Sequence, residues 1–159
     1  NASKAFALER ARRHGIPAEF ISKKQAGSDE AFNDVILQRL RAVNADLVVL
    51  TGYLPIVGRQ IVRAFEHRII NIHPALLPKY GGKGMYGMNV HRAIRENNET
   101  ETGISIHYVD EHYDEGDIIF QAKVNLDGTE SPEMIAQKVH ALEHEHFPKV
   151  IEELLIHHS

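Results

Sequence analysis

With 159 residues the chain is long enough for one domain with a buried core and too short for two full ones. It contains no cysteine, which excludes disulfides and cysteine metal clusters, and it holds no apolar run of the roughly 18–20 residues that a membrane helix needs. A formal charge of −4 with interspersed signs offers no basic face, so neither nucleic acid nor membrane is expected as a partner, and a cytoplasmic setting is.

The chain opens at Asn1 rather than methionine, without a charged-then-apolar signal segment, which reads as a trimmed or partial chain. Lys4 to His14 has apolar residues at helical spacing, with Ser3 as N-cap and Gly15 and Pro17 as stops. A short strand is expected near Phe20-Ile21. Ser28-Asp29-Glu30 then opens a helix whose apolar stripe is Phe32, Ile36, Leu37, Leu40 and Val43, ending near Asn44. Leu47-Val48-Val49-Leu50 and Ile69-Ile70-Asn71-Ile72 are strands with a helix of roughly residues 56 to 65 between them, a βαβ unit of the kind that builds parallel sheets. Beyond the glycine-rich run Gly81 to Gly87 come a helix around Val90 to Glu96 and two strands, Gly103 to Val109 and Ile118 to Val124, whose short link makes them an antiparallel pair. A long C-terminal helix starts near Ser131-Pro132-Glu133 and aligns Ile135, Val139, Leu142, Phe147, Val150, Ile151 and Leu154 on one face. The expected fold is α/β: a doubly wound, mostly parallel, Rossmann-like sheet with an antiparallel pair and a long final helix, in one domain over residues 1–159.

Asn71 and His73 lie two apart at the end of an apolar strand, so they share a face where Pro74 turns strand into loop. An amide N–H and an imidazolium N–H can both stabilise a carbonyl oxygen that gains charge, which suits acyl transfer. The plainer alternative is a pair of polar residues capping a strand. The loop Asp110, Glu111, His112, Tyr113, Asp114 and Glu115 gathers titratable groups between two strands. A carboxylate there would orient His73, raise its pKa and keep it protonated near neutral pH; otherwise the loop is a solvated acidic turn. His140, His144 and His146 invite a metal reading, but the pattern is not His-Glu-x-x-His and no third ligand is evident, so no metal is expected. The Gly81–Gly87 run does not match a phosphate-loop spacing and reads as a flap over a pocket.

At Asn71-Ile-His73-Pro-Ala-Leu-Leu-Pro78-Lys-Tyr80, with Gly103-Ile-Ser105-Ile-His107-Tyr-Val-Asp110 and Tyr113-Asp114-Glu-Gly116, the chain closely resembles the phosphoribosylglycinamide formyltransferase family, from end to end. The resemblance implies transfer of a formyl group from 10-formyltetrahydrofolate to the amine of glycinamide ribonucleotide in purine biosynthesis, without metal. It implies a catalytic trio of Asn71, His73 and Asp114. It places the folate against Leu54, Pro55, Ile56, Val57, Asn71 and the loop Asp110, Glu111, His112, Tyr113 and Asp114, and the ribonucleotide near His140, Ala141, Leu142 and Glu143. A homodimer is compatible with it. The family's opening strand, phosphate loop and first helix have no counterpart here, so the chain is expected to be N-terminally incomplete and inactive as it stands. Formyltetrahydrofolate hydrolase shares the trio but usually has a histidine where this chain has Pro74. Methionyl-tRNA formyltransferase shares it too, with a basic loop and an RNA-binding domain lacking here. An inactive binding fragment is the reading of another class.

Overall fold

The computed structural model describes residues 5–53, 55–112 and 114–157, which fall into two compact units. One unit takes the residues through Ala45 together with Val57–Ile61; the other takes Asp46–Ile56 and everything from Val62 onward.

The first unit is helical: α1 (Phe6–Arg13), α2 (Lys23–Ala26) and α3 (Asp29–Ala42). Ser3, the expected cap of α1, lies outside the described residues; Ala5 occupies the N-cap position and makes no side-chain cap bond. The strand expected at Phe20-Ile21 does not form, because these residues find no ladder partner among the described residues. Instead Ser22 caps the one-turn α2, accepting from the Gln25 N–H. Ser28 caps α3 as anticipated, accepting from the Ala31 N–H at 3.1 Å. Of the expected apolar stripe, Phe32 and Leu37 are buried while Val43 is 71 % exposed. Val43 is the C-cap residue, where the backbone leaves the helical turn that would have aimed it inward. Within this unit the Asn33 side chain accepts from the Gly58 N–H at 3.1 Å, tying α3 to the segment that holds buried Val57 and Ile61.

The second unit holds a four-stranded sheet in the order β1 (Val48–Leu50), β2 (Ile69–His73), β3 (Glu101–Tyr108), β4 (Ile118–Asn125). α4 (Arg59–Ala64) connects β1 to β2, and these two strands pair in parallel as the βαβ reading requires. β3 runs antiparallel to β2 and β4 antiparallel to β3, so the described sheet is mixed and its parallel ladder is confined to β1 and β2. The register sets Asn71 opposite His107 and His73 opposite Ser105, with an irregularity in the β3–β4 ladder between Ile106 and His107. β3 is buried from Thr102 to His107 because it is flanked by strands on both edges and covered by helix.

α5 (Met88–Glu96) and α6 (Pro132–His157) pack on each other, and α6 also lies against β3 and β4. Ser131 accepts from the Met134 N–H and Pro132 occupies the first helical position, where a missing N–H costs nothing. Ile135 and Val139 join Val90, Ile94 and Ile104 in one core cluster; Phe147 and Val150 join Ile70 and Ile106 in a second. Full burial of each such isoleucine contributes roughly 1.5–3 kcal/mol. The buried Glu130 carboxylate gathers the Asp127 and Gly128 N–H groups and the Lys138 ammonium, which holds its pKa down at about 2 and fixes the turn leading into α6. Among the described residues no helix is long and apolar enough to cross a membrane.

Candidate active site

β2 delivers Asn71 and His73 to one wall of a cavity of about 590 Å³, and the loop after β3 brings Asp114 to the same wall. His73 is 3 % exposed. Its Nε2 lies 2.7 Å from the Tyr80 carbonyl and its Nδ1 3.5 Å from Asp114 Oδ2. Asp114 adopts a left-handed backbone, φ 55°, which aspartate tolerates better than most residues. Its carboxylate accepts from the Gly82 N–H at 2.9 Å and faces His107 Nε2 at 3.5 Å.

His107, for which the sequence offers no role, touches two members of the trio, Asn71 and Asp114. Its Nδ1 lies 2.8 Å from the Tyr108 carbonyl, which can only accept, so Nδ1 carries a proton, and its Nε2 faces both the Asn71 amide and Asp114 Oδ1. Asn71 Nδ2 lies 3.3 Å from that Nε2, a contact that orients the amide. The signal that would have found His107 is the β2–β3 register, which the sequence does not display. Ser105, opposite His73, fixes the strand's exit: its hydroxyl donates to the Ala75 carbonyl at 2.7 Å and accepts from the Leu77 N–H at 2.9 Å.

The trio's electrostatics differ from expectation in one respect. Burial lowers the pKa of His73 below 6.5; Asp114 and the Tyr80 carbonyl push it upward, but burial and the charge of His107 prevail. His73 is therefore neutral at rest near pH 7, not held protonated by the acidic loop. For Asp114 burial acts upward, but the hydrogen bonds from His107 and Gly82 and the charges of His73 and His107 outweigh it, so it stays ionised below the ordinary carboxylate range.

Gly82, Lys83, Gly84, Met85, Tyr86 and Gly87 form a second wall, which is where a flap was expected. His140, Glu143 and His144 form a third, and burial raises the Glu143 pKa above its ordinary value. His146 turns aside to pack on Phe120 at 5.0 Å, so the three histidines of that stretch do not act as one cluster. Among the described residues no group of three histidine or acidic side chains is arranged to hold a metal. Of the expected folate contacts, Asn71 and Asp114 line the cavity, while Pro55, Ile56, Val57, Asp110, Glu111 and His112 are not in its wall; Leu54 and Tyr113 lie outside the described residues. Asp110 instead accepts from the His112 N–H at 2.7 Å, shaping the loop as an Asx turn. Ala141 and Leu142 are also absent from the wall, because a helix turns successive side chains through about 100° and only His140, Glu143 and His144 face it.

His91, on α5, was not singled out by the sequence. It is 2 % exposed, lines the cavity, and has a buried Nδ1 that finds no hydrogen-bond partner among the described residues; burial, then the charges of His140 and His73, lower its pKa. Two buried histidines with folded pKa values below the unfolded 6.5 predict acid lability. Above pH 6.5 both states are neutral and stability is full; as pH falls through 6.5 the unfolded chain binds protons first, at up to about 1.4 kcal/mol per pH unit per histidine. The depressed Asp114 adds a further loss only below its unfolded value of 3.8. Denaturant midpoints measured from pH 7.5 to 5.5 should fall steadily, and His91→Gln should flatten the slope. Equal slopes for the two proteins would contradict this account.

The formyl transferase family model matches residues 1–151. The chloroplastic phosphoribosylglycinamide formyltransferase of Arabidopsis thaliana is 41 % identical over 144 residues, 90 % of this chain and 49 % of that relative. The Bacillus subtilis phosphoribosylglycinamide formyltransferase is 36 % identical over 151 residues, 95 % of this chain and 75 % of that one. The crystal structure of phosphoribosylglycinamide formyltransferase from Bacillus halodurans superposes with a TM-score of 0.88 at 35 % identity, covering 98 % of this chain and 77 % of that one. The chain spans about half the length of the plant relatives it matches. A sequence that fits the family model over 1–151, in a fold shared with a solved formyltransferase, belongs to the formyl transferase family.

Proposed function

We propose that this chain, as one formyltransferase domain, carries the site that moves a formyl group from 10-formyltetrahydrofolate to the primary amine of glycinamide ribonucleotide. The observation behind this reading is the convergence of Asn71, His73 and Asp114 on one cavity wall. The cavity's volume, about 590 Å³, falls within the range of small-molecule sites. The transfer joins the amine nitrogen to the formyl carbon and breaks that carbon's bond to the donor nitrogen, so one proton leaves the amine and one reaches the leaving nitrogen.

The chain's residues fit those demands. The Asn71 amide, oriented by its 3.3 Å contact with His107, supplies the N–H that holds the oxygen that becomes an oxyanion. His73, neutral at rest, takes up a proton on Nδ1, where Asp114 stands ready as counter-ion at 3.5 Å, and passes it on. Glu143, its carboxyl shifted upward by burial, is assigned to a hydroxyl of the acceptor, with His140 beside it. The folate is assigned to the side of the trio nearer Asp110 and Glu111.

The test is formyl transfer by the native protein bearing this sequence, with glycinamide ribonucleotide as acceptor. Asn71→Ala should lower kcat by about 10²–10³-fold if the amide holds the oxyanion. Release of formate at the same rate with and without acceptor would replace this reading by hydrolysis, and no turnover of any kind would favour a binding role.

A further inference from the structure

Which nitrogen of His73 exchanges the proton is decided outside the trio. The Tyr80 carbonyl lies 2.7 Å from Nε2, a full hydrogen-bond distance, whereas Asp114 Oδ2 is 3.5 Å from Nδ1, beyond the usual range. A carbonyl oxygen and a bare ring nitrogen cannot share 2.7 Å, since both would present lone pairs; the proton of neutral His73 must sit on Nε2. The longer gap to Asp114 tolerates a bare Nδ1.

Tyr80, which presents that carbonyl, has a left-handed backbone, φ 57°, a conformation an aromatic L-residue resists. Its hydroxyl donates to Glu99 Oε1 at 2.9 Å, and the Lys79 ammonium donates to the same carboxylate at 3.0 Å. Its ring packs against the core cluster containing Val90 and Ile94. Burial first, and the Glu99 hydrogen bond and charge after it, push the hydroxyl's pKa up to about 12.

We propose that the Tyr80–Glu99 clamp is a positioning device that keeps His73 in its Nε2–H tautomer, making Nδ1 the nitrogen that accepts and returns the proton. This rests on the formyl-transfer reading for its kinetic consequence but not for the tautomer itself. Besides Asp114, the titratable group acting on His73 is His107, which among the described residues makes its hydrogen-bond-distance contacts to Asn71 and the Tyr108 carbonyl instead.

Nitrogen-15 NMR of histidine-labelled native protein, above the His73 pKa, should show Nε2 protonated and Nδ1 bare. Tyr80→Phe removes the hydroxyl that Glu99 grips; His73 should then divide between tautomers and kcat should fall about 10-fold with KM nearly unchanged. Glu99→Ala should act in the same direction, and Glu99→Gln, which keeps an oxygen for the hydroxyl, should retain the native tautomer and most of the activity. An Nδ1–H tautomer in the native protein would overturn the inference, as would variants that lose activity with the tautomer unmoved. A native protein with the expected tautomer and no formyl transfer would leave the clamp standing and remove the reaction assigned to it.

Discussion

His73→Ala is expected to lower kcat for formyl transfer by about 10²–10⁴-fold with little change in KM, because the imidazole acts on a proton in flight more than on the bound ground state. Asp114→Asn isolates the second half of that device. Asparagine retains an oxygen for the Gly82 N–H, so the loop keeps its tether, but the counter-ion for protonated His73 is gone. In a side chain 3 % exposed, an imidazolium without its counter-ion is costly, so the His73 pKa should fall further. Native kcat should decline on the acid side as the base is titrated, with an inflection below pH 6.5. In Asp114→Asn the plateau should drop and the inflection move to lower pH. A plateau within about threefold of native, or an unmoved inflection, would remove Asp114 from the proton path.

Gly103→Ala should have the largest effect on folding. A Cβ at Gly103 would stand 2.0 Å from the Ala122 carbonyl oxygen, 2.8 Å from Leu76 Cδ2 and 2.9 Å from Lys123 Cα. Two of those atoms are backbone of the neighbouring strand, so relief requires β3 and β4 to separate rather than a rotamer to change. Overpacking of this kind costs roughly 3 kcal/mol or more, and with about 2–4 °C per kcal/mol for a chain of this size, Tm should fall by about 10 °C. A thermal scan showing a loss under about 2 °C would mean the strands yield more easily than the contact implies. Gly116 is a comparable close approach, its added Cβ lying 1.9 Å from the Tyr108 carbonyl oxygen.

Much of this architecture was readable in the chain because its signals are local. The unbroken apolar runs at 47–50 and 69–72 became β1 and β2, and Ser131-Pro132-Glu133 opened α6, since each depends on periodicity or capping within a few residues. Phe20-Ile21 shows the limit: a strand needs a partner, and two apolar residues do not supply one. The site divides in the same way. Asn71 and His73 share a face through the two-residue period alone, while Asp114 gained meaning only from the family resemblance. His107 depends on a cross-strand register, His91 on helix placement and Tyr80 on a backbone carbonyl that leaves no trace in residue type. The sequence points to the opposite sign for the His73 shift, because the neighbouring charge is visible in it and the stronger influence, burial, is not.

The irregularity between β3 and β4 bears on how much change this site can absorb. Ile106 pairs with Phe120 but His107 pairs with Ile118, so Ile119 is the unmatched residue and the slack lies on β4. Asn71 and His73 ride on β2 and His107, which orients Asn71, on β3; the pairing of these strands runs from Ile70 opposite Tyr108 to His73 opposite Ser105. Length variation at Ile119 can therefore be taken up where no reacting group is carried. One residue gained or lost between Glu101 and Ile106 would instead turn His107 to the opposite face, away from Asn71. Within one sheet, a change of length is absorbed by the outer strand and not by its neighbour.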